Sequence, residues 1–261
     1  MKSINLKDIN NLPGKKLNDN DTFMFRCHAG LECFNKCCRN LNLFLYPYDV
    51  VCLKKKLGIT SDEFLDRYAD IVMRPGNFFP AVLLRMNDNQ DKTCPFLTLS
   101  GCSVYPDRPD ACRTFPVEQG VVFNPEKKKT VPVYFFRPPD FCLGQYEKRQ
   151  LTTKEWALDQ NAAKHNRMTA LWADLKALFT ENPWGTEGPH GSRAKMAFMS
   201  TYNMDSFRNF VFNSSFLKRY KVKSSVLKKI KAQDTELMKF GFLWVKYSVW
   251  GQTSSTIKPR S

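Results

Sequence analysis

Apolar and polar positions follow two different patterns along this chain, and the change falls near residue 148. Before it, apolar runs are short and interrupted by proline, glycine and asparagine, as in residues 81–86, 117–123 and 130–136, which is typical of short strands. After it, apolar residues recur at helical spacing, most clearly over residues 168–179. The pattern predicts an α-rich α+β fold, with short antiparallel strands in the N-terminal part and a helical layer in the C-terminal part.

Capping signals place several of the helices. A helix over residues 47–57 is predicted to end at Gly58. Thr60, with Glu63 three residues later, forms a capping box that opens a second helix reaching about residue 73. Further predicted elements are a strand over 92–97, a helical turn over 109–114, a loop over 183–195, a long helix around Phe207 to Leu217 and a final helix from Asp234.

The chain contains nine cysteines, and their distribution is uneven. Four lie within twelve residues, at Cys27, Cys33, Cys37 and Cys38, and Cys52 stands apart as an expected core residue. Four more follow at Cys94, Cys102, Cys112 and Cys142. The meaning of such a set depends on the compartment, because cysteines pair in oxidising surroundings and more often bind metals in reducing ones.

The termini and the apolar tracts favour a reducing compartment. Residues 1–17 are polar and lack the apolar segment of a signal peptide, and the most apolar tract, 240–250, contains Lys246 and is too short to span a bilayer. Apolar residues make up 43% of the chain, which is enough for a packed core and excludes global disorder. We therefore expect a cytoplasmic, bacterial protein whose clustered cysteines are metal ligands.

Thiolates suit zinc and iron–sulfur clusters, and both usually take four ligands. Eight cysteines therefore predict two sites, although their spacing does not choose between the metals. Adjacent side chains leave an extended backbone in opposite directions, so Cys37 and Cys38 are expected to serve different metals or two sides of one cluster. Nearby cations are expected to offset the thiolate charge through hydrogen bonds to sulfur or backbone. These cations are Arg26, Lys36, Arg39, Arg108 and Arg113.

A resemblance to a known family rests on motifs over roughly residues 22–146. The cysteine box is followed by Cys94-Pro-Phe-Leu, Gly101-Cys102, a segment from Arg108 through Cys112 to Pro116, and Cys142-Leu-Gly. Together they resemble the YkgJ-type cysteine-cluster, or CxxCxxCC, family. The resemblance implies a zinc- or iron-chelating domain. The box itself departs from the family spacing, with five residues between Cys27 and Cys33, which makes Cys27 the least certain ligand.

Function is less constrained than metal binding. The leading hypothesis is a cytosolic protein holding an Fe–S cluster or zinc, with an electron-transfer or accessory redox role; an Fe–S oxidoreductase is one form of it. The alternative is a structural-zinc module that acts through a partner surface. Flagellin lysine N-methylases carry a similar box, so an Fe–S-containing protein methyltransferase is a third hypothesis, but no glycine-rich S-adenosylmethionine loop is found. No catalytic motif is found either.

The C-terminal part adds a strong positive charge. The chain has a formal net charge of +15, and residues 206–233 hold eight Lys or Arg and no acid. Such a run could bind nucleic acid or an anionic surface. The favoured interpretation is a helical hairpin with a phenylalanine core and a solvated lysine side. The predicted organisation is a cysteine-cluster metal-binding domain over 1–148 and a helical region over 149–261 packed on it, with an unidentified protein partner.

Overall fold

A computed structural model describes residues 2–3, 9, 11–18, 20–124 and 129–260 of the protein. Helices dominate the described residues, and the strands are short and lie in small sheets, which confirms the α-rich α+β class. The strands are β1 (Lys2–Ser3), β2 (Lys15–Leu17), β3 (Thr22–Met24), β4 (Phe44–Leu45), β5 (Ala69–Val72), β6 (Ala81–Leu84), β7 (Leu97–Thr98), β8 (Gly101–Cys102), β9 (Val117–Asn124), β10 (Lys129–Phe136), β11 (Gln150–Thr152), β12 (Tyr220–Val222) and β13 (Ile257–Pro259).

Ten α-helices lie within the described residues. They are α1 (Pro47–Leu57), α2 (Ser61–Tyr68), α3 (Asp110–Thr114), α4 (Thr153–Asp159), α5 (Ala163–Lys176), α6 (Ser192–Tyr202), α7 (Met204–Asn213), α8 (Phe216–Arg219), α9 (Ser224–Ala232) and α10 (Asp234–Trp250). Short 3-10 helices occur at Lys36–Cys38, Tyr105–Asp107, Leu143–Tyr146, Ala177–Thr180 and Gly185–Glu187.

The chain divides into two units, each built from two segments. Unit one consists of Met1–Leu43 and Arg85–Ala173. Its main sheet has the order β1-β9-β10-β2, in which the β9–β10 hairpin is antiparallel as predicted and β1 is parallel to β9. Strands β3 and β11 form a second pair. A buried cluster shared by these elements forms the core of this unit: Leu17, Phe23, Phe25, Val117, Cys142, Leu151 and Trp156.

Unit two consists of Phe44–Leu84 and Asp174–Ser261. A three-stranded antiparallel sheet, β4-β6-β5, lies in its first segment, and helices dominate its second. Helix α10 is buried along much of its length and packs against α1, α6, α7 and α9. Aromatic rings fill the space between these helices; Phe216, for example, makes edge contacts with Phe240 and Trp244. The predicted domain boundary at residue 148 stays a prediction.

Local signals in the sequence predict where helices start more accurately than they predict which strands pair. Helix α1 has the predicted bounds, and the Thr60 side chain accepts a hydrogen bond from the Glu63 amide at the start of α2. The predicted extension of α2 to residue 73 is wrong, because Ala69–Val72 pairs with β6 instead. The predicted strand over 92–97 is also wrong: Thr93 forms a single bridge to Arg39, and pairing begins only at Leu97.

Two C-terminal predictions are also corrected. Helix α6 begins at Ser192, inside the predicted loop. The long helix around Phe207 is two helices, α7 and α8, because the chain turns at Ser214 and Ser215. The predicted turn between β9 and β10 falls on residues 125–128, which lie outside the described residues.

Candidate metal centre

Backbone hydrogen bonds join the cysteine box to the segment that carries the next two cysteines. The Cys94 amide donates to the Cys38 carbonyl at 2.8 Å, one residue from the bridge between Arg39 and Thr93. The β7–β8 pair then turns the chain back, with Cys102 opposite Leu97. Cys94 and Cys102 are therefore carried to Cys38 by main-chain contacts that do not depend on side-chain rotamers.

A second set of contacts brings the last cysteine to the beginning of the box. The Leu143 amide donates to the Cys33 sulfur at 3.2 Å, and the Arg26 amide donates to the Gly144 carbonyl at 3.0 Å. The close approach requires glycine, since a Cβ at Gly144 would lie 2.7 Å from the Arg26 carbonyl oxygen. Gly144 is therefore the residue of the Cys142-Leu143-Gly144 motif that allows this close approach to Arg26. The spacing of the cysteines alone does not reveal that role.

Cys112 lies in α3, and two arginines anchor the turn before it. Arg113 is buried and donates to the carbonyls of Pro106 and Gln160, at 2.6 and 2.8 Å. Arg108 donates to the Gln160 side chain at 2.7 Å, and its guanidinium lies 3.9 Å from the centre of the Tyr105 ring. Arg108 also donates to the Tyr105 carbonyl at 2.6 Å, so both arginines donate to backbone, as the sequence predicts for cations near the candidate ligands.

The thiols of the four segments lie close enough for their charges to act on one another. Burial, with smaller contributions from the charges of Cys38 and Cys102, raises the pKa of Cys94 to about 11. Desolvation also raises the pKa of Cys27 and that of Cys142, and the charge of Cys33 adds to both shifts. Thiols that raise one another's pKa in this way form a cluster, and a bound cation would stabilise its charged form.

The adjacent pair Cys37 and Cys38 does not have the backbone that the sequence argument assumes. The pair lies in the 3-10 helix Lys36–Cys38, so the expectation of an extended backbone is wrong. The Cys37 thiol donates a hydrogen bond to the Cys38 sulfur, which lowers the pKa of Cys38 to about 7 and raises that of Cys37. Their other neighbours differ: Cys37 lies near Cys112, whereas Cys38 lies near Cys94.

Positive charge accompanies the thiols at two places. Burial lowers the pKa of the Arg108 guanidinium, and negative charge at Cys112 and Cys102 opposes this shift. Arg39 contributes to the lowered pKa of Cys38 while also pairing with Asp91. Of the other three predicted cations, Arg113 donates to backbone carbonyls, and Arg26 and Lys36 are exposed. Arg108 and Arg39 are therefore the side chains placed to offset thiolate charge.

Two further residues that could bind a metal, Cys52 and His28, lie apart from this cluster or have other contacts. Cys52 is half-buried on α1, in unit two. His28 follows Cys27, but its Nε2 lies 3.5 Å from Glu147 and its Nδ1 accepts a hydrogen bond from the Gly30 amide at 3.2 Å. The contacts of His28 are those of a polar loop residue.

Whether the donors fit a metal depends on their chemistry and on their placement. In the part of the chain that the structure describes, no three His, Cys, Asp or Glu side chains stand close enough to hold a metal ion in the conformations shown. Backbone contacts nevertheless hold Cys94 near Cys38 and the residue after Cys142 against Cys33, and a cysteine sulfur moves by rotation about a single bond. Eight soft sulfur donors form a set that suits zinc or iron.

A buried polar group behind α3 was not found from the sequence. Thr169 donates to the Asp110 carboxylate at 2.8 Å, and His165 lies nearby, 7% exposed. Burial is the main cause that lowers the pKa of His165 to about 3, and the positive charges of Arg113, Lys164 and Arg108 add to it. Thr169 lies 59 residues from Asp110 in the sequence, which explains why no local motif reveals this group.

The lowered pKa of His165 predicts how stability depends on pH. Between pH 3 and 6.5 the unfolded state binds a proton that the folded state excludes, so this contribution to stability is complete above pH 6.5 and is lost as the pH falls. From pH 7 to pH 5 the protein should lose on the order of 1 to 2 kcal/mol more unfolding free energy than the His165→Gln variant. Urea denaturation at both pH values measures this, and equal losses in the two proteins would refute the assignment.

The fold and the thiols define a class of protein: an α-rich α+β chain whose first unit gathers cysteines from four segments. Residues 26–142 match the CxxCxxCC family, whose description reads "Putative zinc- or iron-chelating domain". Residues 26–142 are therefore similar to that family, and the resemblance found from the cysteine motifs is confirmed. The description names both metals and, like the sequence, leaves their identity undecided.

No curated protein and no solved structure matches the chain. Within the described residues, every helix is too short or too polar to cross a membrane.

Proposed function

We propose that residues 26–142 form a metal-binding domain that holds zinc or an Fe–S cluster through eight cysteines. The ligands would be Cys27, Cys33, Cys37, Cys38, Cys94, Cys102, Cys112 and Cys142. One observation carries the proposal: thiols from four separate segments of unit one lie close enough for their charges to shift one another's pKa values. Metal binding would remove this repulsion, because a cation between thiolates stabilises their charged form.

The contacts suggest how the eight ligands divide into two sets. The charge of Cys33 raises the pKa of both Cys27 and Cys142, and the charge of Cys27 raises the pKa of Cys37. We assign these four to the first set. The charge of Cys38 raises the pKa of both Cys94 and Cys102. The charges of Cys102 and Cys112 both raise the pKa of Arg108. We assign Cys38, Cys94, Cys102 and Cys112 to the second set. The Cys37–Cys38 pair lies where the two sets meet, because the charges of Cys38 and Cys112 also act on Cys37.

The leading role is electron transfer or an accessory redox function in a reducing cytoplasm. An Fe–S cluster supplies one-electron chemistry when bound, and its potential depends on nearby charge and on hydrogen bonds to sulfur. Arg108, Arg39 and the Leu143 amide are the groups of this chain that would supply such charge and hydrogen bonds. Cys27 is exposed, which would leave one side of the first set open to a redox partner.

The second candidate is a structural-zinc module that acts through a partner surface. Closed four-cysteine zinc sites leave no open coordination position and serve to stabilise a fold. The observation that favours this role is the concentration of positive charge after residue 206. In that case the metal would order unit one, and the activity of the protein would reside in what it binds.

Anaerobic purification with metal analysis and visible spectroscopy tests the proposal and separates its two forms. A brown protein with iron and a charge-transfer band would support the Fe–S form, and a colourless protein with stoichiometric zinc would support the structural form. A protein that carries neither metal after growth with both supplied would contradict both. The control is a variant with all eight cysteines changed to serine, which should carry no metal.

A further inference from the structure

Positive charge is concentrated in the last quarter of the chain. Residues 206–261 contain twelve Lys or Arg against two acids, a net +10 of the chain's +15. The two acids are already neutralised: Asp234 pairs with Lys54 and Arg208, and Glu236 pairs with Lys239. Among described residues, nine exposed cations of this region take part in no salt bridge. We name them the basic surface: Lys218, Arg219, Lys221, Lys223, Lys228, Lys229, Lys231, Lys258 and Arg260.

Strand pairing joins cations that lie far apart in the sequence. Strands β12 and β13 form a two-stranded antiparallel ribbon, and Lys221 lies directly opposite Lys258. Their neighbours Val222 and Ile257 are also paired and are buried, so the two lysines share the solvent face. The Arg260 amide donates to the Arg219 carbonyl at 2.8 Å, which extends the ribbon by one more pair of cations.

Two lysines directly opposite each other destabilise a strand pair. No acidic residue of this region is available to separate them, since both of its acids are engaged elsewhere. A dense external anion would relieve the repulsion along the whole ribbon. The cross-strand lysine pair therefore lowers the stability of the ribbon, and binding of a polyanion would offset that loss.

The surroundings of the basic surface indicate what kind of polyanion it fits. No large apolar side chain of the described residues 206–260 is exposed, so nothing is placed to insert into a bilayer or to anchor a protein interface. The aromatic rings are packed against one another; Tyr220, for example, makes an edge contact with Trp244. A surface of cations without apolar or aromatic anchors suits a phosphate backbone rather than stacked bases, lipid or protein.

We propose that the basic surface of unit two binds the phosphate backbone of a nucleic acid without sequence preference. The inference is independent of the metal centre, because it uses unit two alone. The contacts would be made by lysine and arginine side chains to phosphate oxygens, with the β12–β13 ribbon at the middle of the contact. Such binding is driven by the release of counterions and weakens steeply as salt rises.

The test measures fluorescence anisotropy of labelled 20-base-pair DNA and 20-nucleotide RNA with the full-length, metal-loaded protein. If three to five phosphates are neutralised, the logarithm of the DNA association constant should fall with the logarithm of salt with a slope of about −3 to −5. Two unrelated DNA sequences should bind equally. The relative affinities of the DNA and RNA probes identify which nucleic acid is preferred.

The decisive variant is Lys258→Glu, matched with Lys154→Glu, which makes the same charge change at an exposed position of α4 in unit one. Lys258→Glu should weaken binding about tenfold at 50 mM salt and make the slope shallower by about one. It should keep or raise the melting temperature, since a glutamate opposite Lys221 replaces repulsion with attraction. Lys154→Glu should change affinity by less than about twofold, because Lys154 is not one of the cations of the basic surface.

Three results would overturn the proposal. The first is absence of salt-dependent binding to both nucleic acids. The second is an equal loss of affinity in the two variants, which would mean that net charge alone is responsible. The third is equal or tighter binding to anionic phosphatidylserine vesicles or to polyglutamate, which would assign the surface to a membrane or to an acidic protein.

Discussion

Serine in place of Cys33 or Cys94 is expected to remove about half of the bound metal, and serine in place of both is expected to remove nearly all of it. The reason is that Cys33 belongs to the set around Cys27 and Cys142, whereas Cys94 lies beside Cys38. Each set loses a ligand that the other cannot replace. Metal per protein chain, measured by mass spectrometry after anaerobic purification, gives the result directly.

Cys52→Ser is the matched control for these variants. Cys52 lies in unit two, on α1, and should leave the metal content unchanged. Loss of metal in Cys52→Ser would contradict the assignment of ligands. A double Cys33→Ser and Cys94→Ser variant that loses no more metal than either single variant would show that there is one site and not two.

Alanine in place of Gly241 is expected to cost unit two several kcal/mol of unfolding free energy. A Cβ at this position of α10 would lie 1.8 Å from the Ser200 carbonyl oxygen on α6 and 3.3 Å from the Phe207 ring. The first of these neighbours is backbone, so the helices themselves must separate. Urea denaturation of the variant and the parent protein measures the loss.

Helix propensity and the steric clash change the stability of Gly241→Ala in opposite directions, so the measured sign distinguishes between them. Glycine is unfavourable inside a helix, so Gly241→Ala would stabilise the protein by about 1 kcal/mol if helix propensity alone mattered. Gly58→Ala provides a control, because that position has open space around it and a φ of +68°, and should cost about 1 kcal/mol through backbone strain alone. A Gly241→Ala variant as stable as the parent would mean that α6 and α10 do not pack at this distance.

Helix ends in this chain are set by local signals, whereas strand pairing depends on residues far apart in the sequence. The capping box at Thr60 and the glycine after residue 57 are encoded within one turn of chain, and both helix ends are where they are expected. Residues 69–72 satisfy a helical pattern as well as a strand pattern. Pairing with β6, which the local sequence does not contain, decides between them.

The candidate site is predictable to a similar extent. Residue type and compartment nominate the eight cysteines, because thiols in a reducing cell suit metals. Their grouping depends on contacts such as the one between Leu143 and Cys33, which joins positions 110 residues apart. The basic surface shows the same limit: the run over 206–233 is visible in the sequence, but the lysine that faces Lys221 comes from β13.

The discontinuous make-up of the two units has a consequence for how the protein can be dissected. Residues 44–84 interrupt unit one in the sequence but pack with residues 174–261, where α1 meets α10 and α2 meets α7. A fragment ending at residue 148 would strip Leu53 and Phe64, both fully buried, of the helices that cover them. A fragment that ends at residue 173, with 44–84 replaced by a short flexible linker, is the design that would isolate the cysteine-bearing unit for spectroscopy.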